Sequence, residues 1–108
     1  KYDNLSIDDK LNISVNSKHA LIAATRLSKG TIEQIYMALR LAAADIIFEK
    51  DKKPILLDDA FAMYDNKRMG NTMRFMAENM EQVIIFSCHT REKLMADKLG
   101  LKYNFIRL

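Results

Sequence analysis

Apolar positions fall into three patterns along the chain. Near the start they are extended. Tyr2, Leu5 and Ile7 lead into a polar turn at Asp8-Asp9-Lys10. Leu11, Ile13 and Val15 then alternate with Asn12 and Ser14 at the period of a half-buried strand. Asn16-Ser17 offers a second turn, and His19 to Ala24 reads as a third strand or an irregular approach to the next element. An antiparallel meander is expected here. Further on, Ile32, Ile35, Leu39, Ala42 and Ile46 recur at helical spacing, widened by Tyr36, Ala43 and Ile47. They predict a helix from about Ile32 to Glu49, with Thr31 and Gln34 as its capping box.

The third pattern is an unbroken apolar run. Pro54 opens Ile55-Leu56-Leu57, and Val83-Ile84-Ile85-Phe86 repeats the type. Runs without alternation are those of strands covered on both faces in a parallel sheet. Between them a helix is expected from Asn66 to Met80, capped by Asp65, with Met69, Met73, Met76 and Met80 packing a core. Lys67, Arg68 and Arg74 fall on its solvated face, and Gly70 weakens it. Thr90 is placed to cap a last helix that stops at Gly100, and Tyr103, Phe105 and Ile106 suggest a final strand.

Composition narrows the class. The 108 residues fit one small domain, 49% hydrophobic and 29% charged, as in a folded protein rather than a disordered one. A net charge of +3 permits phosphate contacts without marking a nucleic-acid binder. One cysteine, Cys88, excludes an internal disulfide and points to a reducing compartment. No apolar run approaches the ~20 residues of a membrane span. The chain opens on Lys1 rather than methionine and is expected to be a piece of something longer.

Candidate chemistry sits at the ends of the apolar runs. The first drives into Asp58-Asp59 and the second into Ser87-Cys88-His89. Ligands of open α/β sheets bind outside the carboxyl ends of strands, so neighbouring parallel strands would carry both to one rim. Paired carboxylates there suit Mg²⁺ with a general base beside it; the plainer alternative is a solvated acidic turn. Cys88 is read as a small apolar filler or a reactive thiol, and His19 as a surface or structural residue. Ser28-Lys29-Gly30 precedes the long helix, whose start favours anions, and Gly30 lets a ligand approach the backbone. An ordinary helix entry would look the same.

Taken in order, these stretches resemble the C-terminal half of an ABC-type ATPase head. The likeness is to the SMC-like coiled-coil ATPases of DNA repair and chromosome maintenance, including SbcC-like and YhaN-like proteins. Leu27-Ser28-Lys29-Gly30-Thr31 is similar to the signature motif and Leu56-Leu57-Asp58-Asp59 to the Walker B motif. Ala60 to Asp65 is similar to the D-loop, and Ile84 to His89 to the H-loop. The match runs from about Arg26 to Thr90. The fold implied is α/β: the C-terminal lobe of a P-loop NTPase, residues 26–108 forming a mostly parallel sheet flanked by helices. Short antiparallel strands in residues 1–25 precede it.

The resemblance also implies roles. Asp58 would hold Mg²⁺ and Asp59 would polarise the attacking water. Ser28, Lys29 and the amides near Gly30 would touch the γ-phosphate of ATP bound mainly by a second head. Asp65 would link the two sites of a homodimer, and His89 would contact the γ-phosphate on its own head. The chain departs from the family pattern at Asp59, where glutamate is usual, at Lys29 for glycine and at Thr31 for glutamine. None of Gly30, Gly70 and Gly100 fits a phosphate-cradling Gly-x-x-x-x-Gly-Lys-Ser/Thr loop. The expected protein is therefore an ATPase only when an N-terminal lobe completes it. DNA and a nuclease subunit are the expected further partners, in a cytoplasmic or nucleoid-associated setting with no membrane. Two other classes remain open. A phosphoacceptor receiver module would need a third aspartate at the end of another strand, and a small basic interaction domain would bind DNA without chemistry.

Overall fold

A computed structural model describes residues 4–18, 20–48 and 54–108. The expectations for Tyr2, His19 and Glu49 lie outside these residues.

The alternating segment forms the expected meander. Strands β1 (Asn4–Ile7), β2 (Ile13–Ser17) and β3 (Ala20–Ala23) pair antiparallel in that order. Leu5 and Ile22 both sit opposite Val15, the one buried residue of these strands. Asp8 shapes the first turn. Its carboxylate accepts the amides of Lys10 and Asn12 and the side-chain amide of Asn12. Those bonds, Asn12's first, hold it below the usual carboxylate range.

Helix α1 (Lys29–Phe48) follows, starting three residues earlier than its apolar spacing suggests. Its cap is Ser28, whose Oγ accepts the Thr31 amide at 3.3 Å, and not Thr31. Met37 and Leu41 pack on the core. Tyr36, Ala42, Ala43, Ile46 and Ile47 of the expected buried face are exposed. The apolar face of α1 is wider than the surface it meets.

Strands β4 (Ile55–Asp58) and β5 (Val83–Phe86) pair in parallel, Asp58 opposite Phe86. The core joins Leu57 to Phe61, Tyr64 and Ala96 and to Met69, Met73 and Met76 of helix α2 (Asn66–Asn79). The methionines thus serve as the expected core, with Met80 packed at its margin. The strands are not covered on both faces. Ile55, Leu57, Val83 and Ile85 turn to the core, while Leu56 is 62% exposed and Ile84 and Phe86 share its open face. With period two, an all-apolar run shows no difference between a covered face and a bare one.

Helix α3 (Arg91–Lys98) packs against α2, where a Cβ on Gly70 would stand 3.1 Å from the Met95 sulfur. Gly70 is therefore a packing position as well as a weak helix former. Thr90 occupies the N-cap position of α3 without a side-chain cap bond. The C-terminal stop at Gly100 is a Schellman turn: Gly100 N–H donates to Asp97 O and Leu101 N–H to Ala96 O, with Gly100 at φ +66°. No heavy atom lies within 4 Å of a Cβ built there, so Gly100→Ala meets only backbone strain. It is expected to cost about 1–2 kcal/mol, read as a lowered denaturant midpoint.

Residues 101–108 form no strand, contrary to the expectation from their aromatic and branched side chains. They are tied to α3 instead. Tyr103 Oη donates to Asp97, and Lys93 Nζ stands 5.7 Å over the Phe105 ring. Bonds from Lys93 and Tyr103 hold the Asp97 carboxyl below its usual range. Among the described residues, no helix is long and apolar enough to cross a membrane.

Candidate active site

The rim is built where β4 and β5 end. Asp58 is the last residue of β4 and lies on the open side of the sheet, exposed. Asp59 then turns the chain with φ +49°, a left-handed conformation that aspartate tolerates better than most residues. Its amide donates to Phe86 O at 2.9 Å, extending the parallel pairing by one bond. The start of the Asp59 side chain is therefore fixed against the end of β5.

On β5 the next three residues make a small turn. The His89 amide donates to Ser87 Oγ at 3.0 Å. The imidazole comes to Asp59, Nε2 to Oδ1 at 3.8 Å, with His89 52% and Asp59 47% exposed. That separation is longer than a hydrogen bond and suits a bridging atom held between the two. Cys88 is exposed at the same place, which removes its reading as an apolar filler. Its Sγ, a carboxylate oxygen of Asp59 and a ring nitrogen of His89 lie within 4.8 Å of one another.

A groove of about 450 Å³ runs from this rim between α1 and β4. Glu33, Arg40 and Met63 line it with Asp58 and Asp59, while Ser28 and His89 do not. The structure thus brings Asp58, Asp59 and His89 to one end of the sheet and leaves Ser28 in a separate cluster.

That second cluster joins the start of α1 to the turn leading into α2. Asp65 caps α2, its Oδ1 accepting the Arg68 amide at 2.7 Å. Arg68 is not a solvated residue as its helical position suggests. Its Nη1 donates to Asp65 Oδ2 at 3.1 Å and its Nη2 to Thr31 Oγ1 at 2.7 Å. Thr31 Oγ1 is in turn 2.8 Å from Ser28 Oγ. Ser28, Thr31, Arg68 and Asp65 form one continuous chain of hydrogen bonds.

Gly30 is buried inside this junction. A Cβ there would stand 2.5 Å from the Met63 carbonyl oxygen and 3.0 Å from Arg68 Nη1. The space freed by the missing side chain is filled by the protein's own backbone, not left for a ligand. Ser28 and Lys29 face solvent. A further clamp escaped sequence reasoning: Arg91 Nη2 donates to Tyr64 O at 2.6 Å and to Asn66 Oδ1 at 3.3 Å. It ties the element after His89 to the turn after Asp59. The only sequence signal was a cation two residues beyond the histidine.

No family model matches the chain. It is 36% identical over 73 residues to the "Uncharacterized protein YhaN" of Bacillus subtilis (strain 168). That stretch is 65% of this chain and 8% of the relative, so the chain spans a small part of the relative's length. In three dimensions it resembles a chain solved in work on ATP-driven dimerization and DNA-stimulated activation of SMC ATPases. The TM-score is 0.66 at 17% identity, covering 86% of this chain and 60% of the other. Over most of its described length the chain is thus similar in fold to an SMC ATPase.

Proposed function

We propose that the chain is the C-terminal half of an SMC-like ATPase head, which hydrolyses ATP with Mg²⁺ once an N-terminal lobe supplies the phosphate loop. The observation that carries this reading is the approach of Asp59 and His89, at 3.8 Å, from the ends of two adjacent parallel strands. Phosphoryl transfer to water needs a carboxylate to orient the water and fixed donors for the phosphate charge. Asp59 is given the first task and His89 Nε2 the second. Asp58 and Asp59 offer exposed carboxylate oxygens, the hard donors that Mg²⁺ takes. When bound, the ion would supply charge neutralisation beside the phosphates, with Asp58 as its protein ligand.

Ser28 and Lys29, both exposed, are assigned to the nucleotide of a second head in a homodimer. The hydrogen-bonded path Ser28–Thr31–Arg68–Asp65 gives that assignment a physical basis, since Asp65 begins the helix that follows the acid pair. DNA is the proposed activator, and a nuclease subunit remains a proposed partner. The bare face of Leu56, Ile84 and Phe86 is assigned to the N-terminal lobe. Mixing the chain with that lobe, ATP and Mg²⁺ is expected to produce hydrolysis that neither part shows alone. A mixture that forms a complex but stays inactive at every lobe ratio defeats the reading.

A further inference from the structure

The cluster at the rim has a donor set that ATP hydrolysis does not require. A thiol, an imidazole and a carboxylate come from Cys88, His89 and Asp59, each of them exposed, with their donor atoms within 4.8 Å of one another. Neighbouring donors around tetrahedral Zn²⁺ are about 3.3–3.7 Å apart, given bond lengths of 2.0–2.3 Å. Nε2 of His89 and Oδ1 of Asp59 are already at 3.8 Å. Rotation of exposed side chains by about 1 Å closes the set around an ion of that size. The backbone beneath does not have to move, because the Asp59 amide is bonded to Phe86 O and the His89 amide to Ser87 Oγ.

We propose that Asp59, Cys88 and His89 form a three-ligand site for a thiophilic divalent metal, Zn²⁺ being the type, with water completing its coordination. Thiolate and imidazole select such an ion, whereas Mg²⁺ demands oxygen and keeps its water. The two ions are thereby sorted within one rim: the hard ion at Asp58, the soft one across Asp59, Cys88 and His89. Binding of the soft ion occupies the carboxylate and the imidazole together, so it acts as a brake on the catalytic pair. The brake rests on the ATPase reading; the metal site rests only on the donor geometry.

Co²⁺ titration of the folded chain tests the site, with circular dichroism confirming the fold of each variant. One ion per chain is expected, with a thiolate-to-cobalt charge-transfer band that Zn²⁺ displaces and excess Mg²⁺ does not. Because Cys88 is the one cysteine, Cys88→Ser must abolish the band. His89→Ala and Asp59→Asn are each expected to weaken Co²⁺ affinity about tenfold or more, since even outer-shell partners are worth that much. Absence of the band in the folded chain overturns the proposal. So does a band whose affinity ignores both His89→Ala and Asp59→Asn, which is thiol scavenging. Neither result depends on whether the completed head hydrolyses ATP.

Discussion

Asp59→Asn is expected to lower ATP hydrolysis by the completed head about a hundredfold or more, the lower range for loss of a positioned general base. The substitution preserves the shape of the side chain and removes its charge. It also keeps the turn, because asparagine accepts the left-handed conformation that Asp59 adopts at φ +49°. Thermal unfolding should therefore be unchanged, which separates lost chemistry from lost structure. His89→Ala should reduce the rate less, since on the proposed reading it removes one donor among several around the phosphate. Steady-state hydrolysis and nucleotide binding, measured on the same preparations, decide the matter. A rate that survives both substitutions would falsify the assignment of Asp59 and His89, whatever the fold resembles.

How far the sequence reveals this arrangement depends on whether a signal is local. Asp65 is recognisable as a cap because its bond reaches only three residues, to Arg68. Gly100 is recognisable as a stop for the same reason, and the methionine spacing of α2 follows from one helix repeat. The rim follows from two apolar runs ending in polar residues, a pattern that strand polarity converts into proximity. The larger misreadings are non-local. Arg68 reaches Thr31 across 37 positions, which no helical wheel contains. The open face of β4 and β5 is apolar like the covered one, so Leu56 and Leu57 differ only in what lies opposite. Residues 101–108 have strand-like composition, but their contacts run to Lys93 and Asp97. The cap at Ser28 rather than Thr31 is a choice between two hydroxyls three residues apart, which residue type alone does not decide. Gly30, between them, closely meets the Met63 backbone.

That close approach yields the second large effect. Gly30→Ala lies within a helix, where alanine is favoured over glycine by about 0.8–1 kcal/mol, so propensity alone calls the change stabilising. The neighbour reverses the sign. The new Cβ would stand 2.5 Å from the Met63 carbonyl oxygen, a backbone atom that cannot swing aside as a side chain can. Relief requires the start of α1 and the turn before Asp65 to move apart by about 1 Å, and overpacking of this kind costs typically 1–3 kcal/mol or more. The movement also strains the Arg68–Thr31 bond that joins the two elements. The expected net loss of about 2 kcal/mol lowers the melting temperature by roughly 10 °C in a domain of this size. Gly70→Ala provides the contrast. It too lies within a helix, but its Cβ would meet the flexible Met95 sulfur at 3.1 Å, and a small side-chain shift restores the contact. Near-neutral stability is expected there. If Gly30→Ala melts no lower than Gly70→Ala, the helix start does not rest on the turn after the acid pair. The signature-like segment would then have no route to Asp65.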